Sequence, residues 1–542
     1  MRANDNQSTR YIVVTGGVMS GLGKGVVSAS TGKLLQSLGY TVTAIKIDPY
    51  YNIDPGTMRP DEHGEVFVLK DGYEVDQDFG TYERIAEIEL SGYNNITNGQ
   101  IHKAVTDGER AGDYLGKTVQ KYPHLSNEVQ RRIKEVAEKD KTDFVLIEIG
   151  GTAGDEENKL FYRSVETMQS KGEDMLFMHV SYFPIPPHLG EQKSKPTQQS
   201  LDHLREVGIK PDFLIGRSPQ PIDDKRKAKL EDGYGIKKEY ILSSPDVDSI
   251  YKVPLILDDQ KLGYKILEKF GLDPKQTNLD DWRELVDIID TVEDPVRIGI
   301  VGKYFETGAS ILRDSYVSVI EALKHAAWYN YKKPEIDWIS ATKLEKDSDH
   351  LTGLKKYDGI VVPGGFGNTG VEGKIMAAKY SRENDVPYLG LCYGLQMSTI
   401  ELARNVCGLD GAHTTECNPN TPHPVVTILD EQRNVTDKGG TMRLGNQEAI
   451  MKPGTKIWEL YGKRDIVVER HRHRYEINPN YHDILQENGM VFSGASKDGK
   501  LVEFAELEGY LFFVGTQAHP EFTSRALKPN PMFNGFIKAS TA

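Results

Sequence analysis

Cysteine is scarce in this sequence: three residues in 542, Cys392, Cys407 and Cys417. That is no disulfide framework, it fits a reducing compartment, and it leaves any of the three as a chemical thiol. Long apolar runs are missing too. None reaches the roughly 20 residues of a membrane span, and the opening segment MRANDNQSTR lacks the apolar stretch of a signal peptide. A soluble, cytoplasmic protein with no membrane partner is expected. Positive charge is in deficit, 66 Lys and Arg against 80 Asp and Glu, a net −14, which argues against nucleic acid as the main partner. Anionic ligands would need local clusters of lysine and arginine. Repeats and low-complexity tracts are absent, and the length exceeds what one core supports.

What is present begins with VVTGGVMSGLGKGVVSAS, Val13 to Ser30. An apolar run from Tyr11 to Val14 precedes it, Val26 to Leu38 recur at helical spacing after it, and Val42 to Ile47 form a second apolar run. This reads as a βαβ unit with a glycine turn at the carboxyl edge of a sheet, where ligands of open α/β sheets bind. The glycines let backbone N–H groups converge on an anion at a helix N-terminus, and Lys24 adds a cation. The spelling departs from the ordinary phosphate loop. Five residues separate Gly17 from Gly23, and Gly25 stands where a magnesium-holding Ser or Thr belongs. Some other oxygen must hold the metal.

Two further apolar runs, Phe144 to Ile149 and Met175 to Val180, lead into GGTAGDEEN and GEQKSKPTQQS. Strands with functional loops at their ends suggest a doubly wound α/β fold. The charged stretch 274–296 reads as a linker, which divides the chain into 1–273 and 297–542. After it VRIGIVG, IVVPGGFG and PYLGLCYGLQ start a second doubly wound α/β domain.

In that second half, Gly390-Leu391-Cys392-Tyr393-Gly394 sits between a strand and a helix. This is the pattern of a nucleophile elbow, with the sulfur exposed at a helix N-terminus that favours negative charge. A base is supplied by Ala518-His519-Pro520-Glu521, with Glu521 placed to orient the imidazole. The turn Pro363-Gly364-Gly365-Phe366-Gly367 offers the Gly365 N–H to pair with that of Tyr393 as an oxyanion hole. Together, PGGFG, GLCYGLQ and HPE resemble the class I glutamine amidotransferase family. The resemblance implies that Cys392 attacks the amide of L-glutamine and that His519 protonates the departing ammonia. It also implies glutamine contacts at Gly365, Tyr393, Gly394, Leu395, Gln396, Glu416 and Arg474.

A glutaminase needs a synthetase to use its product. GGVMSGLGKG, IKIDPYYNIDPGTM, HGEVFVLKDG, IEIGGTAGD, KSKPTQ, DVDSIYKVP, GGTMRLG and ERHRHRYE make nearly the whole chain similar to the CTP synthase family, ligases that aminate UTP using ATP and glutamine. The first half is then a phosphate-loop-like amidoligase domain. For ATP the resemblance implies Gly21, Leu22, Gly23, Lys24, Gly25, Val26, Lys46 and Asp78, with Pro245, Asp246 and Val247 at the adenine edge. For UTP or CTP it implies Ser20, Asp155, Glu156, Glu157, Lys193, Ser194, Lys195, Pro196, Thr197, Gln198 and Lys229. Mg2+ would rest on Asp78 and Glu148, in place of the hydroxyl missing from the loop. A 4-phosphorylated UTP intermediate, a homotetramer, CTP feedback inhibition, filaments and GTP activation are implied as well. Family members commonly carry arginine after PGGFG-x, where this chain has Asn368-Thr369-Gly370, which puts the GTP response in question. The segment Phe305 to Tyr316 is longer than usual. The basic cluster Arg470 to Arg474, flanked by Glu469 and Glu476, reads as part of the glutaminase face and not as a nucleic-acid patch.

Overall fold

The structure, a computed structural model, describes residues 9–58, 64–303, 306–307, 310–311, 313–346, 349–428 and 440–542. The chain divides into two compact units. One holds the chain up to Asp54 together with Thr81–Val286; the other holds Pro55–Gly80 together with the chain from Asp287 onward. The segment Phe305 to Tyr316 lies partly outside the described residues.

The first unit is built on seven parallel strands: β1 (Arg10–Gly17), β2 (Val42–Asp48), β3 (Asn95–Thr97), β4 (Phe144–Ile149), β5 (Met175–Tyr182), β6 (Phe213–Ser218) and β7 (Ile241–Pro245). Their order in the sheet is β3-β2-β4-β1-β5-β6-β7. Strands buried on both faces read as near-continuous apolar runs, and FVLIEI and VTAIKID are buried at every position. Helix α1 (Lys24–Ser37) follows β1 directly, as the glycine turn and the apolar spacing predict, and α2 (Lys195–Glu206) follows β5. Val13, Ile45, Ile147 and Phe177 share a core with Ile133 and Val165 of the covering helices.

The main sheet of the second unit has nine strands: β8 (Pro295–Gly302), β9 (Lys333–Ser340), β10 (Gly359–Val362), β11 (Tyr388–Leu391), β12 (Arg443–Met451), β13 (Ile466–His473), β14 (Met490–Ala495), β15 (Val502–Leu507) and β16 (Phe513–Thr516). Their order is β9-β8-β10-β11-β16-β15-β14-β12-β13. The first five are mutually parallel; from β16 onward the pairing is antiparallel. Helices α3 (Val371–Glu383) and α4 (Tyr393–Asn405) pack on the parallel part. Part of the charged linker stretch is helical, over Asp280–Thr291.

Residues 55–80, which linear order puts in the first half, group with the second unit through a hairpin of Val66–Val68 and Glu74–Asp76. Buried Arg470 donates to Val68 O at 3.0 Å, Arg472 Nε lies 2.8 Å from Glu74 Oε1, and the Phe67 and Phe522 rings meet edge to face at 4.9 Å.

Candidate active site

In the second unit β11 runs straight into α4 through Cys392, whose backbone stands at φ 49°, ψ −98°. Positive φ in a non-glycine residue costs about 1–3 kcal/mol and persists where surrounding contacts impose it. Here the Cys392 N–H donates to Thr516 O at 2.7 Å, and Tyr388 OH donates to Gly394 O at 2.9 Å. The flanking glycines are demanded by space: a Cβ on Gly394 would lie 2.1 Å from Val362 O, and one on Gly390 would lie 2.8 Å from the Gly394 carbonyl carbon. The sequence pattern is thus a nucleophile elbow in three dimensions. Sγ receives a hydrogen bond from Gln517 Nε2 at 3.5 Å.

The strand β16 delivers His519, held by its N–H on Arg470 O at 2.7 Å. Its Nδ1 lies 2.7 Å from Glu521 Oε1, and its ring stacks on Phe522 at 5.2 Å. Burial alone would depress the imidazole, but the Glu521 carboxylate and Cys392 outweigh it and raise its pKa to about 10. At neutral pH the ring is an imidazolium.

Cys392, His519 and Glu521 line one cavity of about 270 Å³ with Gly364, Gly365 and Arg474, a size that suits an amino acid better than a nucleotide. Arg474 donates to Thr441 Oγ1 at 2.8 Å. The other expected glutamine contacts sit outside that lining. Glu416 is mostly buried, which raises its carboxyl pKa, and it accepts the Gly367 N–H at 2.6 Å. Gln396 is buried with its amide nitrogen on Tyr475 O (3.0 Å) and Gln517 Oε1 (3.2 Å). Leu395 packs on Gly515.

In the first unit Gly21 (φ 73°) and Gly23 (φ 79°) of the glycine turn are left-handed, and so is Val18 (φ 83°), a strained state for a β-branched residue. Lys24 opens α1, and its Nζ donates to Gly151 O at 2.9 Å. Beneath the loop, His179 bridges Thr15 Oγ1 (2.9 Å) and Ser200 Oγ (2.6 Å). Burial and the Lys24 charge push its pKa down to about 3, so it is neutral. Lys46 Nζ lies between Glu148 Oε1 (3.2 Å) and Asp48 Oδ1 (3.8 Å), and Tyr82 OH donates to Glu148 Oε2. Asp78 opens the helix Asp78–Ile85, its N–H on Asp76 Oδ1 at 2.9 Å.

The expected UTP residues are placed unevenly. Gln198 and Lys229 line one open cavity of about 480 Å³. Lys195 and Pro196 form the first turn of α2, while Ser194 accepts from Gln198 Nε2 at 3.0 Å. Lys193 pairs with Glu191. Thr197 is fully buried, its hydroxyl donating to Tyr182 O at 3.0 Å, so its side chain is committed to the fold. Asp155 closes its own turn on the Thr152 N–H at 2.8 Å, and Glu156 and Glu157 line a separate cavity with Tyr51 and Lys121. Arg217 binds the Pro245–Asp246 segment, donating to Pro245 O and pairing with Asp246, each at 2.9 Å.

Residues 10–272 match the family model "CTP synthase N-terminus", and residues 311–539 match "Glutamine amidotransferase class-I". A CTP synthase of Sulfurisphaera tokodaii is 48% identical over 98% of this chain and 99% of its own. The chain belongs to the CTP synthase family. A second member, from Methanocaldococcus jannaschii, is 48% identical over 98% of each chain. The glutaminase domain of Trypanosoma brucei CTPS with bound acivicin matches at 37% identity, covering 45% of this chain and 94% of that one, with a TM-score of 0.43.

For this CTP synthase family member, sequence reasoning missed Gln517, His179, Asp48, Tyr82 and Arg217. Asp48 and Tyr82 left a faint signal, a charged residue ending an apolar strand and a tyrosine near the acidic run. Gln517 and His179 left none, because each is defined by what a neighbouring strand or helix brings to it.

Proposed function

We propose that the protein makes CTP by ATP-dependent amination of UTP, using ammonia cut from L-glutamine. The observation that carries this is kinship at 48% identity over 98% of the chain, joined to a strained cysteine in one cavity with His519 and Glu521. In the glutaminase unit, Cys392 sulfur attacks the amide carbon, the N–H groups of Gly365 and Tyr393 receive the oxyanion, and the imidazolium of His519 gives its proton to departing ammonia. Water then opens the thioester to glutamate. Arg474 holds the substrate carboxylate; Glu416 and Gln396 act by fixing the walls.

In the synthetase unit the 4-oxygen of uracil is a poor leaving group. Transfer of the γ-phosphoryl of ATP to it makes it a good one; ammonia then attacks the ring carbon and phosphate departs. Lys24 and Lys46 neutralise charge on the moving phosphoryl group, and the loop N–H groups position it. Lys193, Lys195 and Lys229 face the UTP triphosphate, with Gln198 beside Lys229. The buried carboxylates of Glu148 and Asp48, already gathered around the Lys46 cation, are hard oxygen donors that fit Mg2+ and would hold it. Bound there, the cation would supply charge neutralisation to the phosphates of a nucleotide. A homotetramer and CTP feedback inhibition belong to the same proposal.

The test mixes UTP, ATP, magnesium and glutamine and follows CTP by chromatography. CTP accumulating in step with glutamate is expected. Turnover of glutamine and ATP with no modified pyrimidine would overturn the reading.

A further inference from the structure

Lys374 lies in the first turn of α3 and is fully buried. Its Nζ donates to Pro363 O at 3.4 Å, and a Cβ built on Gly365 would lie 3.3 Å from that nitrogen. It also stands 5.0 Å from the centre of the Tyr393 ring. Gly365 and Tyr393 are the two residues whose N–H groups frame the expected oxyanion, so the amine sits behind both halves of that hole. The position is unfavourable for a lysine on three counts. Burial strips water from the ammonium; the helix N-terminus repels positive charge; and among the described residues no carboxylate oxygen lies within ion-pair distance of it. An apolar side chain of similar volume would avoid all three.

We propose that Lys374 is a positioning residue of the glutaminase centre, a cation behind the Gly364-Gly365 loop that fixes its peptides and stabilises negative charge developing on the glutamine amide oxygen. The groups facing the amine are Lys303, Cys392, Glu416 and the Tyr393 ring. Burial and then Lys303 push its pKa down to about 7, while Cys392 and Glu416 pull it upward. The amine is therefore poised to hold a proton when an anion forms across the loop. This rests on the glutaminase reading of Cys392.

The experiment compares a charged adduct with a neutral ground state in the full chain. With glutamate γ-semialdehyde the Cys392 thiolate adds to the aldehyde carbon: a C–S bond forms and the C=O π bond opens to an oxyanion. In Lys374→Met the affinity for this aldehyde should fall about 10- to 100-fold, less than the roughly 100- to 1,000-fold for losing a direct oxyanion donor, because the cation acts from behind the loop. Glutamine binding, measured on a Cys392→Ser background, should stay within about twofold, and the melting temperature should hold or rise. The loss should be largest near pH 6 and shrink above about pH 8, where the wild-type amine is neutral. Lys374→Gln, which keeps a donor for Pro363 O and removes only the charge, makes the same comparison should the methionine variant not fold. Equal loss of both affinities, no loss, or a loss independent of pH overturns the proposal. A wild-type protein that does not split glutamine overturns the glutaminase reading itself; one that does, beside an unchanged Lys374→Met, overturns only the role of Lys374.

Discussion

His519 Nδ1 and Glu521 Oε1 stand 2.7 Å apart, with one residue, Pro520, between them in the chain. Their pairing is local, made by one turn after β16. Cys392 reaches them because β11 and β16 are adjacent, parallel strands in register, Leu391 opposite Thr516.

Cys392→Ala should abolish CTP formation from glutamine and leave formation from ammonium salts within about twofold of wild type, since the synthetase chemistry uses no group of that site. Parallel assays with the two nitrogen donors check it. Loss of both activities would count against two separable centres.

Glu521→Gln should lower glutamine hydrolysis about 10³- to 10⁴-fold, as in other triads that lose the orienting carboxylate. It should also alter stability in a defined window. The folded pKa of His519, about 10, lies above an unfolded value of about 6.5. The pair's contribution is therefore complete below about pH 6.5 and lost as pH rises through about 10. Melting temperatures of the wild type and variant should differ most near pH 6 and converge above about pH 10; a gap that widens with pH would contradict the assignment.

Lys24→Met should reduce CTP formation more than about 100-fold with either nitrogen donor, while glutamine hydrolysis continues, because the cation acts on the transferred phosphoryl group alone. Product analysis with each donor tests this.

Two glycine substitutions should behave differently. Gly394→Ala drives a Cβ to 2.1 Å from the backbone oxygen of Val362, which cannot swing aside as a side chain can, and should destabilise by about 3 kcal/mol or more. At Gly21 nothing lies within 4 Å of a built Cβ, so Gly21→Ala should cost only the left-handed backbone, about 1–2 kcal/mol. Thermal unfolding of the two variants decides whether space or conformation is the stronger demand.

Local chemistry determined much of this protein in advance. Gly-Lys after an apolar strand, the glycines around Cys392 and the HPE turn each encode their geometry within a few residues, because backbone freedom, helix spacing and strand burial are short-range properties. From these, two α/β halves, the glycine turn before α1 and the residues Cys392, His519 and Glu521 that share one cavity were legible in residue order. Tertiary structure alone decided which side chains lost water and what they met instead. Residues 55–80 join the second unit, where Arg470 and Arg472 of the RHRHR cluster bind Val68 and Glu74. Thr197 is bound to Tyr182, His179 is held neutral under the glycine turn, and Lys374 is enclosed behind the Gly364-Gly365 turn. Desolvation and long-range partners depend on strand order and on packing across a sheet, and no stretch of neighbouring residues carries that information.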